Sequence, residues 1–397
     1  VSGNLKRQKE KTIKFSKMQI KSKLSSSQTT IFTEMSALAT QHQALNLGQG
    51  FPDYDPPSAL LDLVKDAIDD HKHQYAPMAG VMALREVIAE KVIRAYGQYI
   101  NPTSEISITA GATQAIFTAI TAFIHTGDEV IIFEPAYDSY RPSIELAGGK
   151  AIVYTMEAPE FKINWSLLAA MISPITKMII INTPHNPTGT ILKADDLIQL
   201  SHIVKDTDII ILSDEVYEHL VYDGQPHESV LKYPELYQRS ISVFSFGKTY
   251  HCTGWKVGYC VAPEYLMNEI RKVHQWNVFS VNSFVQYALA VFMKNEQQYL
   301  SLPQFYQQKR DYFLEILKST RLRPLKSEGT FFQLCDYSEI SDLDDVAFAK
   351  EMTVIHGVAC IPISVFYTDY RQDKLIRFCF AKTENLLSKA GLLLSNM

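Results

Sequence analysis

Two hydrophobic patterns alternate along the chain. Residues 106–109, 130–133, 178–181, 209–212 and 241–244 are short apolar runs rich in Ile and Val. Such runs, wholly apolar at 130–133, 178–181 and 209–212, suit strands covered on both faces, as in a parallel sheet. Between them lie stretches with helical period. After Asp195 and Asp196, the residues Leu197, Leu200, Ile203 and Val204 fall on one face. Val81, Leu84, Ile88, Val92 and Ala95 do the same, and Gly97 stands where that helix would stop. Strand–helix–strand repetition predicts βαβ units, hence an α/β fold with a mostly parallel sheet flanked by helices.

The pattern changes twice. From about residue 303 a polar helical stretch leads to strand-like runs at 321–325, 330–334, 358–362 and 375–380. These predict a smaller α+β domain over 296–397, following a large domain over 56–295. Before the large domain, residues 28–55, with Gly48, Gly50 and Pro52, read as an extended, turn-rich arm. Residues 1–27 read as a solvated, disordered extension. Residues 1–23 hold eight Lys or Arg and one acid, so the remaining 374 residues sum to −12 within the overall −5. That segment has neither the apolar run of a secretory signal nor the Arg richness of a mitochondrial presequence, and Met18 is a candidate natural start.

Composition narrows the function. The 397 residues are 46% hydrophobic and 20% charged, which describes a globular protein of more than one domain. No apolar run is long enough to span a membrane, and the mild net acidity disfavours nucleic acid as a partner. The five cysteines form no C-x-x-C pair and, with the histidines, no zinc spacing, so no metal is expected. Buried reduced thiols in a cytoplasmic enzyme are the expectation.

Chemistry in open α/β sheets collects beyond the carboxyl ends of the strands. After 106–109 comes Ala110-Gly111-Ala112-Thr113, small residues entering a helix N-terminus that can receive an anion. After 130–133 comes Tyr137, after 178–181 Asn186, after 209–212 Asp214 and Tyr217, and after 241–244 Ser245 and Lys248. An anion cradle, an aromatic, an amide, a carboxylate and a lysine together describe a site for a phosphorylated, cationic heteroaromatic held by a lysine. Two other motifs fail. Gly247-Lys248-Thr249 resembles the end of a nucleotide-phosphate loop, but Ser242 stands where that loop needs glycine. Gly48-Gln49-Gly50 has no preceding strand and no third glycine of a dinucleotide fingerprint.

These motifs resemble the fold-type I aminotransferases that use pyridoxal 5′-phosphate. Within them the chain is most similar to the kynurenine/glutamine-transaminase-K-like group, in particular its methionine-preferring bacterial members. The likeness runs from about residue 29 to the C-terminus. It includes 47–53, 74–77, 182–189, 214–217, 245–258, 328–332, 361–366 and 375–380. It implies that Lys248 bonds covalently to the cofactor and shuttles the reacting proton, and that Asp214 pairs with the pyridine N–H. Asn186 and Tyr217 would hydrogen-bond the ring oxygen, and Tyr137 would stack on the ring. Gly111, Ala112, Thr113, Ser245 and Lys256 would hold the phosphate, joined by Tyr75 of a neighbouring subunit in a homodimer. Arg377, with Asn186, Gly50 and Phe51, would bind the substrate. Many relatives outside this group carry Arg where Lys256 stands, which keeps the charge but removes the planar fork.

The resemblance implies a ping-pong transaminase. The same residues would serve kynurenine transamination, or a lyase acting on cysteine S-conjugates. A cofactor-binding transcription regulator would need a DNA-binding domain ahead of the arm, where this sequence has about 28 residues. The segments resembling the side-chain pocket, 50–51, Tyr75, 276–280 and 365–367, contain aromatics and small polar groups but no arginine. Large uncharged donors, methionine above all, are therefore expected, because a buried side-chain carboxylate would lack a counter-ion.

Overall fold

The computed structural model describes residues 21–24 and 30–397. The extension expected over 1–27 lies almost wholly outside the described residues. The largest sheet has seven strands in the order Ile106–Thr109, Gly258–Val261, Ser240–Ser245, Ile210–Asp214, Thr176–Asn182, Glu129–Glu134 and Lys150–Thr155. All neighbours run parallel except Gly258–Val261, which is antiparallel to both of its own.

Helices cover both faces, which accounts for the uninterrupted apolar runs. Val130, Ile132, Met178, Ile180 and Val243 pack with Ile116, Ile120, Ile144, Met267 and Ile270 on one side. Ile131, Phe133, Ile179, Ile181 and Ile211 join Val87, Ile88, Leu168, Leu197 and Leu200 on the other. Each fully buried Ile, Leu or Val contributes about 1.5–3 kcal/mol of transfer free energy. Two sheet strands carry weak sequence signals. Lys150–Thr155 is a half-exposed edge, and Gly258–Val261 opens on glycine with only four residues.

The C-terminal part holds a four-stranded antiparallel sheet, in the order Ile361–Pro362, Leu375–Cys379, Phe332–Asp336 and Arg323–Pro324. Leu45–Asn46 pairs in parallel with Val358–Ala359, tying the N-terminal segment to this region. The extended reading of 28–55 is corrected over Ile31–Gln41, which is a helix. Thr30 caps it by accepting a hydrogen bond from the Thr33 backbone N–H, and Met35 and Ala39 are buried. Ile31, Met35, Leu38 and Ala39 have helical spacing; the Gly and Pro signal belongs only to the residues after 47.

Candidate active site

The sheet brings its chemistry to one edge. Asn182 and Asp214 are the last residues of their strands, and Tyr137 follows Glu129–Glu134. Lys248 sits on the single helical turn Phe246–Thr249 directly after Ser240–Ser245. They line one cavity of about 290 Å³, together with Gly50, Gly111, Ala112, Thr113, Asn186, Tyr217, Ser245, Lys256, Phe332 and Arg377.

Asp214 is 4% exposed. Tyr140 donates to its Oδ2 at 2.6 Å and the Val216 backbone N–H to its Oδ1 at 3.4 Å. Neither partner is cationic. Burial pushes the carboxyl up to about 6, and the two hydrogen bonds only partly oppose that. A buried carboxylate in this state is suited to an N–H⁺ ligand. Asn182 braces it: Nδ2 donates to the Asp214 carbonyl at 2.8 Å, while Oδ1 accepts from the Asn186 N–H at 2.8 Å.

Lys248 Nζ donates to the Gly50 carbonyl at 2.9 Å and lies 5.6 and 5.2 Å from the ring centroids of Tyr217 and Phe331. Burial lowers this lysine to about 8, so the free amine becomes the main form only above about that pH. Tyr217 itself is buried, its ring edge-on to Phe331 and Phe332.

The helix Ala112–Phe123 begins without a capping side chain; its N-cap is Gly111, at φ 81°. Its first N–H groups therefore face the cavity, where helix-end charge favours an anion. Lys256 Nζ comes within 3.6 Å of the point where a Cβ on Gly111 would sit. Gly258 lets the strands close on this cradle, since a Cβ there would lie 2.5 Å from the Phe244 carbonyl and 3.2 Å from Ala112 N. Tyr137 stands beside it, its hydroxyl 3.2 Å from Thr113 Oγ1.

Opposite, Arg377 is 1% exposed. Nη1 donates to Asn186 Oδ1 at 2.6 Å and Nη2 to the Gly48 carbonyl at 3.4 Å, while Nε is buried without a partner. Its guanidinium lies over Phe332, 3.8 Å from the ring centroid. Burial lowers its pKa to about 10, so it stays charged at neutral pH. A buried cation with a spare donor is suited to a carboxylate.

Not every residue singled out in the sequence reaches this cavity. Phe51 is 42% exposed and lies away from it, its ring 5.1 Å from Lys382 Nζ, which also donates to the Phe51 carbonyl at 2.8 Å. Tyr75 is 82% exposed, edge-on to Phe279. Of the segments expected to form the side-chain pocket, only Gly50 lines the cavity of the single chain. Phe32, from the arm helix, and Phe332 supply aromatic walls instead. Tyr140, Asn182, Phe32 and Phe332 were not assigned roles from the sequence. Tyr140 had a usable signal, standing three residues after Tyr137 at a strand end.

An uncapped helix N-terminus with a lysine, a buried carboxylate without a cation, and a depressed lysine together fit pyridoxal phosphate. The chain belongs to the aminotransferase class I and II family, whose profile matches residues 42–390. It is an aminotransferase, a pyridoxal-phosphate enzyme that acts on amino acids and 2-oxo acids. It is 51% identical to the methionine aminotransferase of Escherichia coli K12, over 93% of this chain and 96% of that one. A crystal structure of an E. coli protein with a methionine aminotransferase function superposes with TM-score 0.93 at 50% identity, covering 96% of this chain and all of that one. The mouse kynurenine–oxoglutarate transaminase 1 is 34% identical, with 90% and 92% of the two chains covered. Among the described residues no helix is long and apolar enough to cross a membrane.

Proposed function

We propose that this aminotransferase takes its amino group from amino acids with large uncharged side chains, methionine favoured. The observation that carries the reading is the cavity lining. Among the described residues Arg377 is its one arginine, which in this reading takes the α-carboxylate, and the other walls include Phe32, Ile116, Tyr137 and Phe332. A side-chain carboxylate would be desolvated there without a second fork. A thioether against aromatic walls gains about 0.3–1.5 kcal/mol per contact. The 51% identity to a methionine aminotransferase supports the same choice.

In this reading Ala112 and Thr113 offer backbone N–H groups, and Gly111, Ser245 and Lys256 complete the phosphate cradle. When bound, the cofactor supplies an electron sink for the pair left on the substrate Cα. Lys248 would hold it covalently, and its Nζ, once the substrate amine has displaced it from that bond, would carry the proton that leaves Cα. Asp214, held by Tyr140, would hold a proton on the pyridine nitrogen. Asn186 Oδ1 is committed to Arg377, which leaves its Nδ2 to donate to the ring oxygen beside Tyr217. Tyr137 would stack against the cofactor ring, and Arg377 would orient the substrate through its carboxylate. Two such half-reactions make a ping-pong cycle.

The division into arm, large domain and small domain at residues 55 and 295 belongs to the same proposal. So does a homodimer in which Tyr75 reaches the neighbouring site. Tyr75, Trp276 and Phe279 leave 82%, 85% and 45% of their surfaces exposed on one chain, the kind of aromatic patch that a partner covers. The free, buried state of all five cysteines supports a reducing, cytoplasmic setting.

The test is kcat/KM for Met, Phe, Gln, Ala and Asp against one fixed 2-oxo acid. At roughly 0.8 kcal/mol per buried methylene, Met should exceed Ala by about one to two orders of magnitude. Asp as the best donor would overturn the proposal.

A further inference from the structure

Behind the cavity lies a second set of ionisable groups that the chemistry above does not use. Glu218 is 6% exposed, and its carboxylate accepts hydrogen bonds from Lys91 Nζ, from Tyr96 Oη at 2.5 Å and from Tyr259 Oη at 3.5 Å. His219 Nε2 lies 3.4 Å from the same carboxylate. Lys91 is 2% exposed, also donates to Tyr259 Oη at 2.9 Å, and sits 4.9 Å from the Phe244 ring centroid. Nearby, the fully buried Glu215 accepts from Ser213 Oγ at 2.8 Å and pairs with His227 Nε2 at 2.8 Å. Burial raises the Glu218 carboxyl, but Lys91 and His219 outweigh it and hold the group below the ordinary range.

The placement of this network gives it a use. Asp214 ends a strand, and residues 215–219 continue as turn, outside helix and strand. Glu215 and Glu218 flank Val216 and Tyr217, and both send their carboxylates away from the cavity into buried partners. Tyr217 thus stands on a turn anchored at both ends by side chains. The partners come from elsewhere: Lys91 and Tyr96 from the helix Met82–Tyr96, Tyr259 from the strand paired with the one that leads to Lys248. A buried ion pair is seldom more stabilising than apolar packing of equal volume, so specificity of position is the better account of its presence.

We infer that the Lys91–Glu218 pair, with Tyr96 and Tyr259, is a positioning device that sets Tyr217 against the cofactor's ring oxygen. The inference rests on the cofactor reading above. Lys91 and Glu218 touch neither substrate nor cofactor; they act through the turn.

The test uses holoenzyme carrying Lys91→Met with Glu218→Leu, which removes both charges and leaves none unpaired. Glu218→Gln, which keeps the side-chain shape, is the second variant should the first fail to fold. The readouts are kcat and KM for one amino acid, and the pH midpoint of the bound cofactor's visible absorbance. The ring oxygen is expected to lose its Tyr217 donor, moving the midpoint up by about one unit. kcat should fall about tenfold with KM changed less than about threefold. In a Tyr217→Phe background the same changes should move the midpoint no further. An unmoved midpoint in a folded, yellow variant overturns the inference, as does a shift that adds to that of Tyr217→Phe. A colourless parent protein would instead overturn the cofactor assignment, so the two failures are distinguishable.

Discussion

At the scale of single residues, the site is a matter of which charges are buried and what faces them. Asp214 is pushed up to about 6 and Lys248 down to about 8, both chiefly by burial. The signs give opposite limbs. Below about pH 6 Asp214 gains a proton and stops attracting a pyridinium, so cofactor affinity of the cofactor-free protein should fall there. Below about pH 8 Lys248 is an ammonium without a lone pair, so the rate of covalent capture should rise through pH 8 and then level off. Stopped-flow absorbance across pH 5–10 (a range of roughly five units) separates the limbs. A capture rate flat through pH 8 would contradict the assignment. Tyr140→Phe removes the hydrogen bond that holds Asp214 down, and the lower limb should then move up by about one unit. Lys248 and Asp214 could be picked out from the sequence because each follows an apolar run, whereas Arg377 was reached only through the family resemblance. Tyr140 carried a signal in its place after Tyr137, but its partner Asp214, like that of Asn182 Nδ2, lies on another strand far along the chain and cannot be read from the sequence.

At the scale of elements, the order of events is strand, then turn, then functional group, repeated along one sheet edge. That much was legible, since runs such as 130–133 and 178–181 are apolar on both faces and end in polar turns. What escaped was whatever lacked that signature. Gly258–Val261 escaped because a four-residue antiparallel strand opening on glycine has no Ile-rich run, although it closes the phosphate cradle. The arm helix escaped because the glycines and prolines after residue 47 coloured the whole segment. Gly258→Ala tests the importance of that closure. Its Cβ would sit 2.5 Å from a backbone carbonyl and 3.2 Å from Ala112 N, so the helix N-terminus must shift. Overpacking of this kind costs about 1–3 kcal/mol. Equilibrium dialysis of the cofactor-free protein should show pyridoxal-phosphate affinity lowered at least about tenfold. Unchanged affinity would show that the cradle does not depend on this approach.

At the scale of the whole molecule, the cavity draws on the arm helix through Phe32, on the large sheet through Asp214 and Lys248, and on the C-terminal region through Phe332 and Arg377. Arg377 belongs to the antiparallel sheet, yet its guanidinium bonds Asn186 of the large-sheet turn and the Gly48 carbonyl of the N-terminal segment. In the proposed reading, binding of the substrate carboxylate would link these segments. The central claim is that these parts assemble one pyridoxal-phosphate site around one lysine. Borohydride reduction of the purified protein, followed by peptide mapping, tests it most directly. A single reduced cofactor adduct on Lys248, absent in Lys248→Ala, is the predicted result; an adduct on any other lysine would contradict the account.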